Sequence, residues 1–164
     1  MKKWFCILAL VYAGPTAVWA QFTIFVTRHA DRFGTEPDPS LTPLGMKQAE
    51  SLSLLLADAN IRHIYTTELL RTQQTAAPTA RLAHIQPVVI PQNQFAQLIE
   101  KIRDTARDHE SPLVVGHRQT VPKIVKALTG QTIAPLGSGE YGRLLVITLF
   151  PDGRSSVVAL HFGT

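Results

Sequence analysis

Cysteine is almost missing: Cys6 is the only one in 164 residues. It stands near the chain start, so the remainder offers no disulfide, no thiolate metal site and no cysteine nucleophile. Zinc spacing is missing too. The 6 histidines include no pair at the H-x-H or H-x-x-x-H interval that lets two imidazoles reach one ion. Aromatic residues make up 7%, and no run of lysine or arginine occurs, which argues against a nucleic-acid partner. There is no internal repeat, no low-complexity tract and no long uninterrupted apolar run.

What is present begins with "MKKWFCILALVYAGPTAVWA". Two lysines, an uncharged apolar stretch and the small-residue end Val18-Trp19-Ala20 have the form of a secretory signal peptide over residues 1–20. The stretch is short for a membrane span, and Gly14-Pro15 interrupts it. Cys6 lies too early in it for a lipoprotein site. The alternative is an uncleaved N-terminal anchor. Cleavage before Gln21 leaves 144 of the 164 residues, 21–164, as one domain without a stable membrane anchor, periplasmic or secreted. Because the leader carries Lys2 and Lys3 and no acid, the chain's net charge of +4 falls to +2.

The order of segments is regular. "FTIFVTR" (22–28) is β-branched and apolar, the pattern of a buried strand. A helix opens at Thr42-Pro43, with Thr42 as N-cap and Pro43 at the first helical position. Strand signals recur at 61–67, 87–91 and 111–117, with helices at 68–83 (Pro78 inside it), 94–109 and from Val121 to a stop at Gly130. A Pro-Asp-Gly turn joins two closing strands as a hairpin. This alternation predicts an α/β three-layer sandwich. A mainly parallel central sheet carries helices on both faces and a C-terminal antiparallel hairpin. In such sheets ligands bind beyond the C-terminal strand ends.

Four polar residues fall there: Arg28 and His29 after the first strand, Arg71 in the first turn after the second, and His117 after "PLVVG". Singly, each is ordinary as a cap or a surface residue. Together they suit phosphoryl transfer. Guanidinium forks grip phosphate oxygens, a helix N-terminus adds N–H donors, and a neutral imidazole can attack phosphorus. Neighbouring arginine charge favours that neutral form and spreads over the transferring group, so neither a metal nor another cofactor is required.

"TRHADR", "LTPLGMKQAE", "YTTELLRTQQTA" and "LVVGHRQTV" resemble, in order, the Arg-His-Gly signature, the helix start, the Arg block and the second-histidine block of the histidine phosphatase superfamily, in its phosphoglycerate mutase-like branch. Ala30 stands in the usual glycine place. The resemblance implies a compact exported member that hydrolyses phosphomonoesters. His29 is then the nucleophile and Arg28 and Arg71 the phosphate clamp, while His117 donates to the phosphate. It implies small phosphorylated substrates, such as a sugar phosphate or an envelope glycolipid phosphate. A mutase is less suited to so short a chain, which has little to close a pocket with. Two alternatives are a non-catalytic phosphate-binding module on the same scaffold and a phosphohistidine protein phosphatase.

One departure concerns the acid that protonates the leaving group. Arg118 follows the second histidine where some relatives carry Asp, and no acid follows "RTQQTA" until Glu100. Asp31 and Glu140 are the replacement candidates. For Asp31 the competing expectation is a surface pair with Arg32; for Glu140, a plain loop carboxylate. His63, His84, His109 and His161 are expected to be packing or surface residues.

Overall fold

Residues 21–34, 36–108 and 110–163 are described by a computed structural model. The expected leader, with Cys6, and His109 lie outside the described residues. The elements follow in the order β1 (Phe22–Arg28), α1 (Pro43–Leu55), β2 (Ile61–Thr66), α2 (Leu70–Ala83), β3 (Val88–Val89), α3 (Phe95–Arg107), β4 (Ser111–Gly116), α4 (Thr120–Thr129), β5 (Arg143–Leu149) and β6 (Ser155–His161). Among the described residues the six strands form one sheet, ordered β3-β2-β4-β1-β5-β6. Pairings β3/β2, β2/β4 and β4/β1 are parallel, whereas β1/β5 and β5/β6 are antiparallel. The α/β sandwich and the closing hairpin are as expected.

Alternation along each strand divides the core in two. Ile24 and Val26 of β1, Val114 of β4, and Leu145 and Ile147 of β5 pack with Ile99 and Ile102 of α3 and Val121, Ile124 and Val125 of α4. Leu113 and Val115, Leu144, and Ile61 and Ile64 of β2 face the other way, onto Leu52 and Leu56 of α1 and Ala76 and Ala80 of α2. Ile61 and Ile64 share that face despite their odd spacing because the β2/β4 register shifts between Ile61 and His63. Each fully buried Ile or Leu contributes about 1.5–3 kcal/mol through apolar burial, so the two half-cores fix both the register and the strand order.

Local signals set the element ends. The Thr42 side chain accepts from Gly45 N at 3.0 Å, the N-cap expected of it. Gly45 also lets α1 approach the chain at Asp31, because a Cβ there would stand 2.0 Å from Asp31 O. Gly130 closes α4 in the left-handed conformation. Pro78 does not end α2, which runs on to Ala83. None of the described helices is long and apolar enough to cross a membrane.

This topology brings four chain segments to one place. β1, β4 and β2 are neighbours and parallel, so all three end at one edge of the sheet. Antiparallel β5 begins there, since Thr27 pairs with Leu144.

Candidate active site at the sheet edge

Arg28 pairs with Gly116 in the β1/β4 ladder, and His29 N donates to Gly116 O at 2.9 Å. The residues just beyond both strands therefore lie side by side. The rings of His29 and His117 stand 5.6 Å apart, edge to face. Arg71, from the first turn of α2, completes the set, since its charge acts on both histidines. All four residues singled out in the sequence converge on this edge.

His29 is 4% exposed. Its Nδ1–H donates to Ala30 O at 2.8 Å, a carbonyl that can only accept, so the lone pair lies on Nε2. Burial, reinforced by the charges of Arg28, His117 and Arg71, lowers its pKa to about 3. His117 is held through Nε2 to Thr67 Oγ1 at 3.1 Å. Burial lowers its pKa to about 4, aided by Arg71 and Arg28 and opposed by Glu68. Both imidazoles are neutral at neutral pH.

The two guanidiniums differ. Arg28, 7% exposed, donates from Nη1 to the carbonyls of Gly137, Ser138 and Glu140 at 3.1, 2.9 and 3.1 Å. Its Cζ lies 4.1 Å from the centre of the Tyr141 ring. Arg71 is held loosely, with Nη1 3.4 Å from Pro37 O and 3.7 Å from Asp38 Oδ1. In both, Nε is buried with no acceptor among the described residues. A buried N–H left unpaired costs about 1–3 kcal/mol, and an anion between the two would remove that cost. Burial lowers the pKa of each, and the charge of Arg32 adds to this for both, as does Arg118 for Arg28. Four arginines thus concentrate positive potential at one strand edge.

The candidate acids do not point at this centre as free donors. Asp31 Oδ2 accepts from Thr42 Oγ1 at 2.8 Å. It therefore braces the start of α1 rather than pairing with Arg32, whose Nη1 donates to the carbonyls of Phe33 and Gly34. Glu140 Oε2 accepts from Gly137 N at 2.9 Å, and Oε1 pairs with Arg143 at 3.1 Å. The α2 N-terminus is also occupied: Asp38 Oδ1 accepts from Leu70 N at 2.8 Å, so that N–H is not the free phosphate donor expected of it. Of the other histidines, His63 pairs with Glu110, while His84 and His161 are exposed.

Sequence reading missed three groups. Tyr141, its ring 5.9 Å from that of His29, comes from the loop before β5. Its signal is Gly142: φ is 78°, and a Cβ there would stand 2.3 Å from Phe162 O, so only glycine makes this turn. Glu68, whose Oε2 accepts from Gln92 N at 2.8 Å, acts on Arg71 and His117 from the turn entering α2. Finally, the polar residues of the matched motifs act as staples. Thr75 Oγ1 accepts from Ala30 N at 2.9 Å, and Gln48 Oε1 from Asp31 N at 2.9 Å.

A mixed sheet with this edge is the histidine phosphatase fold, and comparison with known proteins agrees. Residues 24–94 match the model of the histidine phosphatase superfamily (branch 1), a segment that contains Arg28, His29 and Arg71 and ends before His117. Among solved structures, the protein histidine phosphatase SixA complexed with tungstate superposes with a TM-score of 0.71 at 19% identity, over 85% of this chain and 97% of that one. The mycobacterial glucosyl-3-phosphoglycerate phosphatase Rv2419c does so with a TM-score of 0.70 at 11% identity, over 87% and 99%. At these identities the likeness is one of fold. A stretch of 56 residues is 45% identical to part of PE-PGRS family protein PE_PGRS11 of Mycobacterium tuberculosis, covering 34% of this chain but only 10% of that protein.

Proposed function

We propose that the chain is a metal-independent phosphatase that hydrolyses phosphomonoesters through a phosphohistidine on His29. The observation that carries this reading is the pair of buried, acceptorless Nε–H groups on Arg28 and Arg71 beside a neutral His29 with its lone pair on Nε2. Arg28 and Arg71 grip the phosphoryl oxygens. His29 Nε2 attacks phosphorus, the N–P bond forms and the P–O bond to the leaving group breaks. His117, neutral and anchored on Thr67, donates to a phosphoryl oxygen. Water then attacks phosphorus, the N–P bond breaks and its electron pair returns to Nε2. The arginine charges do the electrostatic work that a metal does in other phosphatases.

The leader-like start of the sequence supports export, and with it an exported small substrate such as a sugar phosphate or an envelope glycolipid phosphate. A second reading, a phosphohistidine protein phosphatase, is favoured by the commitment of Asp31 and Glu140 to other hydrogen bonds. A departing imidazole has little need of an acid.

The test is phosphate release from an aryl phosphate in EDTA, with acid quench of labelled enzyme. An acid-labile, alkali-stable adduct that disappears in His29→Ala is the expected result. Phosphate binding without an adduct would instead identify a binding module.

A further inference from the structure

We propose that the Tyr141 hydroxyl is the proton donor to the leaving group, taking the role left open by the missing acid. The inference rests on the phosphatase reading and deepens it.

Among the described residues, the carboxylates at the edge are each engaged as acceptors: Asp31 by Thr42 Oγ1, Asp38 by Leu70 N, Glu140 by Gly137 N and Arg143, and Glu68 by Gln92 N. Each of these carboxylates is thus spent on holding a loop or a helix start rather than presented to the site. A phenol, by contrast, is an O–H donor. Tyr141 is also in the right place. Its ring lies under the Arg28 guanidinium, with the Cζ 4.1 Å from its centre, and stands 5.9 Å from the His29 ring. A phosphoryl group gripped by Arg28 and attacked by His29 would therefore lie beside this ring. The backbone fixes this placement, through the obligatory glycine at 142 and the three loop carbonyls tied to Arg28. Among the described residues, no hydrogen bond engages the hydroxyl.

As His29 Nε2 forms the N–P bond and the P–O bond breaks, the phenol O–H passes its proton to the departing alkoxide. The phenolate left behind is stabilised by the guanidinium charges. In the second step water attacks phosphorus and gives its proton to the phenolate. The N–P pair returns to Nε2, and orthophosphate and the phenol are regenerated.

Tyr141→Phe keeps the ring under Arg28 and removes only the hydroxyl. Turnover of an alkyl phosphate such as glycerol 2-phosphate should fall about 10²-fold or more, because alkoxide departure needs the proton. Turnover of p-nitrophenyl phosphate, whose leaving group departs without help, should change by less than about threefold. That split between leaving groups is the supporting result, and retained aryl turnover shows that the variant is folded. An equal fall on both substrates would mean that Tyr141 only shapes the site, and no change on either would remove it from the chemistry; both overturn the proposal. Failure of the underlying reading looks different: the wild-type protein would release no phosphate even from the aryl ester, and the inference would fall with it.

Discussion

The two ends of the sheet use histidine in opposite ways. At the N-terminal end of the parallel strands, His63 on β2 pairs with Glu110 just before β4 and stacks on Tyr65 at 6.3 Å. Both members of that pair are more than a third exposed. At the C-terminal end, His29 and His117 are withdrawn from solvent, His29 leans on a carbonyl rather than a carboxylate, and the charges around them are guanidinium. Burial among arginines favours the bare imidazole lone pair that attack on phosphorus needs. The sheet topology decides which end gathers the candidate site. Three parallel strands and the start of β5 meet at only one of the edges.

The sharpest way to break this comparison is to remove one histidine from each end. His29→Ala should lower phosphate release from an aryl phosphate by at least about 10³-fold, because the proposed nucleophile is gone. His63→Ala should leave it within about twofold, since an exposed ion pair contributes little. Steady-state kinetics on both variants checks this. Comparable losses would mean that the edges are not functionally distinct.

The two arginines sharpen it further. Arg71→Ala should cost about 10²-fold in kcat/KM through the lost charge-assisted bonds, with little change in Tm, because the Arg71 guanidinium meets Pro37 O and Asp38 Oδ1 only at 3.4 and 3.7 Å. Arg28→Ala should cost at least as much activity and also destabilise the fold by about 2–3 kcal/mol, since it strips three carbonyls of a charged donor. Thermal unfolding alongside kinetics separates the two arginines.

Arg28, His29, Arg71 and His117 were legible in the sequence because a strand's C-terminal end and a helix's first turn are local features, and parallel strands put such ends together. The α/β layering followed from the same alternation. Tyr141 was not legible, because only the antiparallel pairing of β5 with β1 carries its loop to this edge. Glu68 was overlooked because acids were sought after the Thr-Ala block rather than in the turn before it. The fate of Asp31, Asp38 and Glu140 depended on which donor lay nearest in space: Thr42 Oγ1, Leu70 N and Gly137 N lie at sequence separations of 11, 32 and 3. Spacing along the chain does not encode that choice. Ala30, in a place where the resemblance expects glycine, fits without strain. It is fully buried, and its N–H is taken by Thr75.

The depressed histidines set a pH dependence whose sign follows from burial. The folded protein keeps His29 neutral down to about pH 3, whereas an unfolded histidine takes up a proton near pH 6.5. Below pH 6.5 the unfolded chain therefore binds more protons, and stability is lost as pH falls from about 6.5 towards 3. By pH 4.5 the His29 contribution to this loss is about 2.5 kcal/mol. His29→Gln should remove it, so the urea midpoint of the variant should gain on that of the wild type between pH 7 and pH 4.5. On the proposed mechanism, the acidic limb of kcat/KM should lie near pH 3–4 rather than near 6.5, because His29 and His117 stay neutral down to about pH 3 and 4.

The smallest effect belongs to the opposite edge. Glu110→Gln keeps a polar partner for His63 and removes only the charge, so the attraction lost is that of a partly exposed pair, screened by water and salt. The expected change is below about 1 kcal/mol, it shrinks further at high ionic strength, and kcat/KM for the aryl phosphate is unaffected. Urea melts at low and high salt measure it. A loss of several kcal/mol would mean that this pair is structurally coupled to the core through Tyr65, whose ring His63 covers and whose hydroxyl bonds Thr105 at 2.7 Å. The two edges would then differ in reactivity but not in the degree to which histidine holds the sheet together.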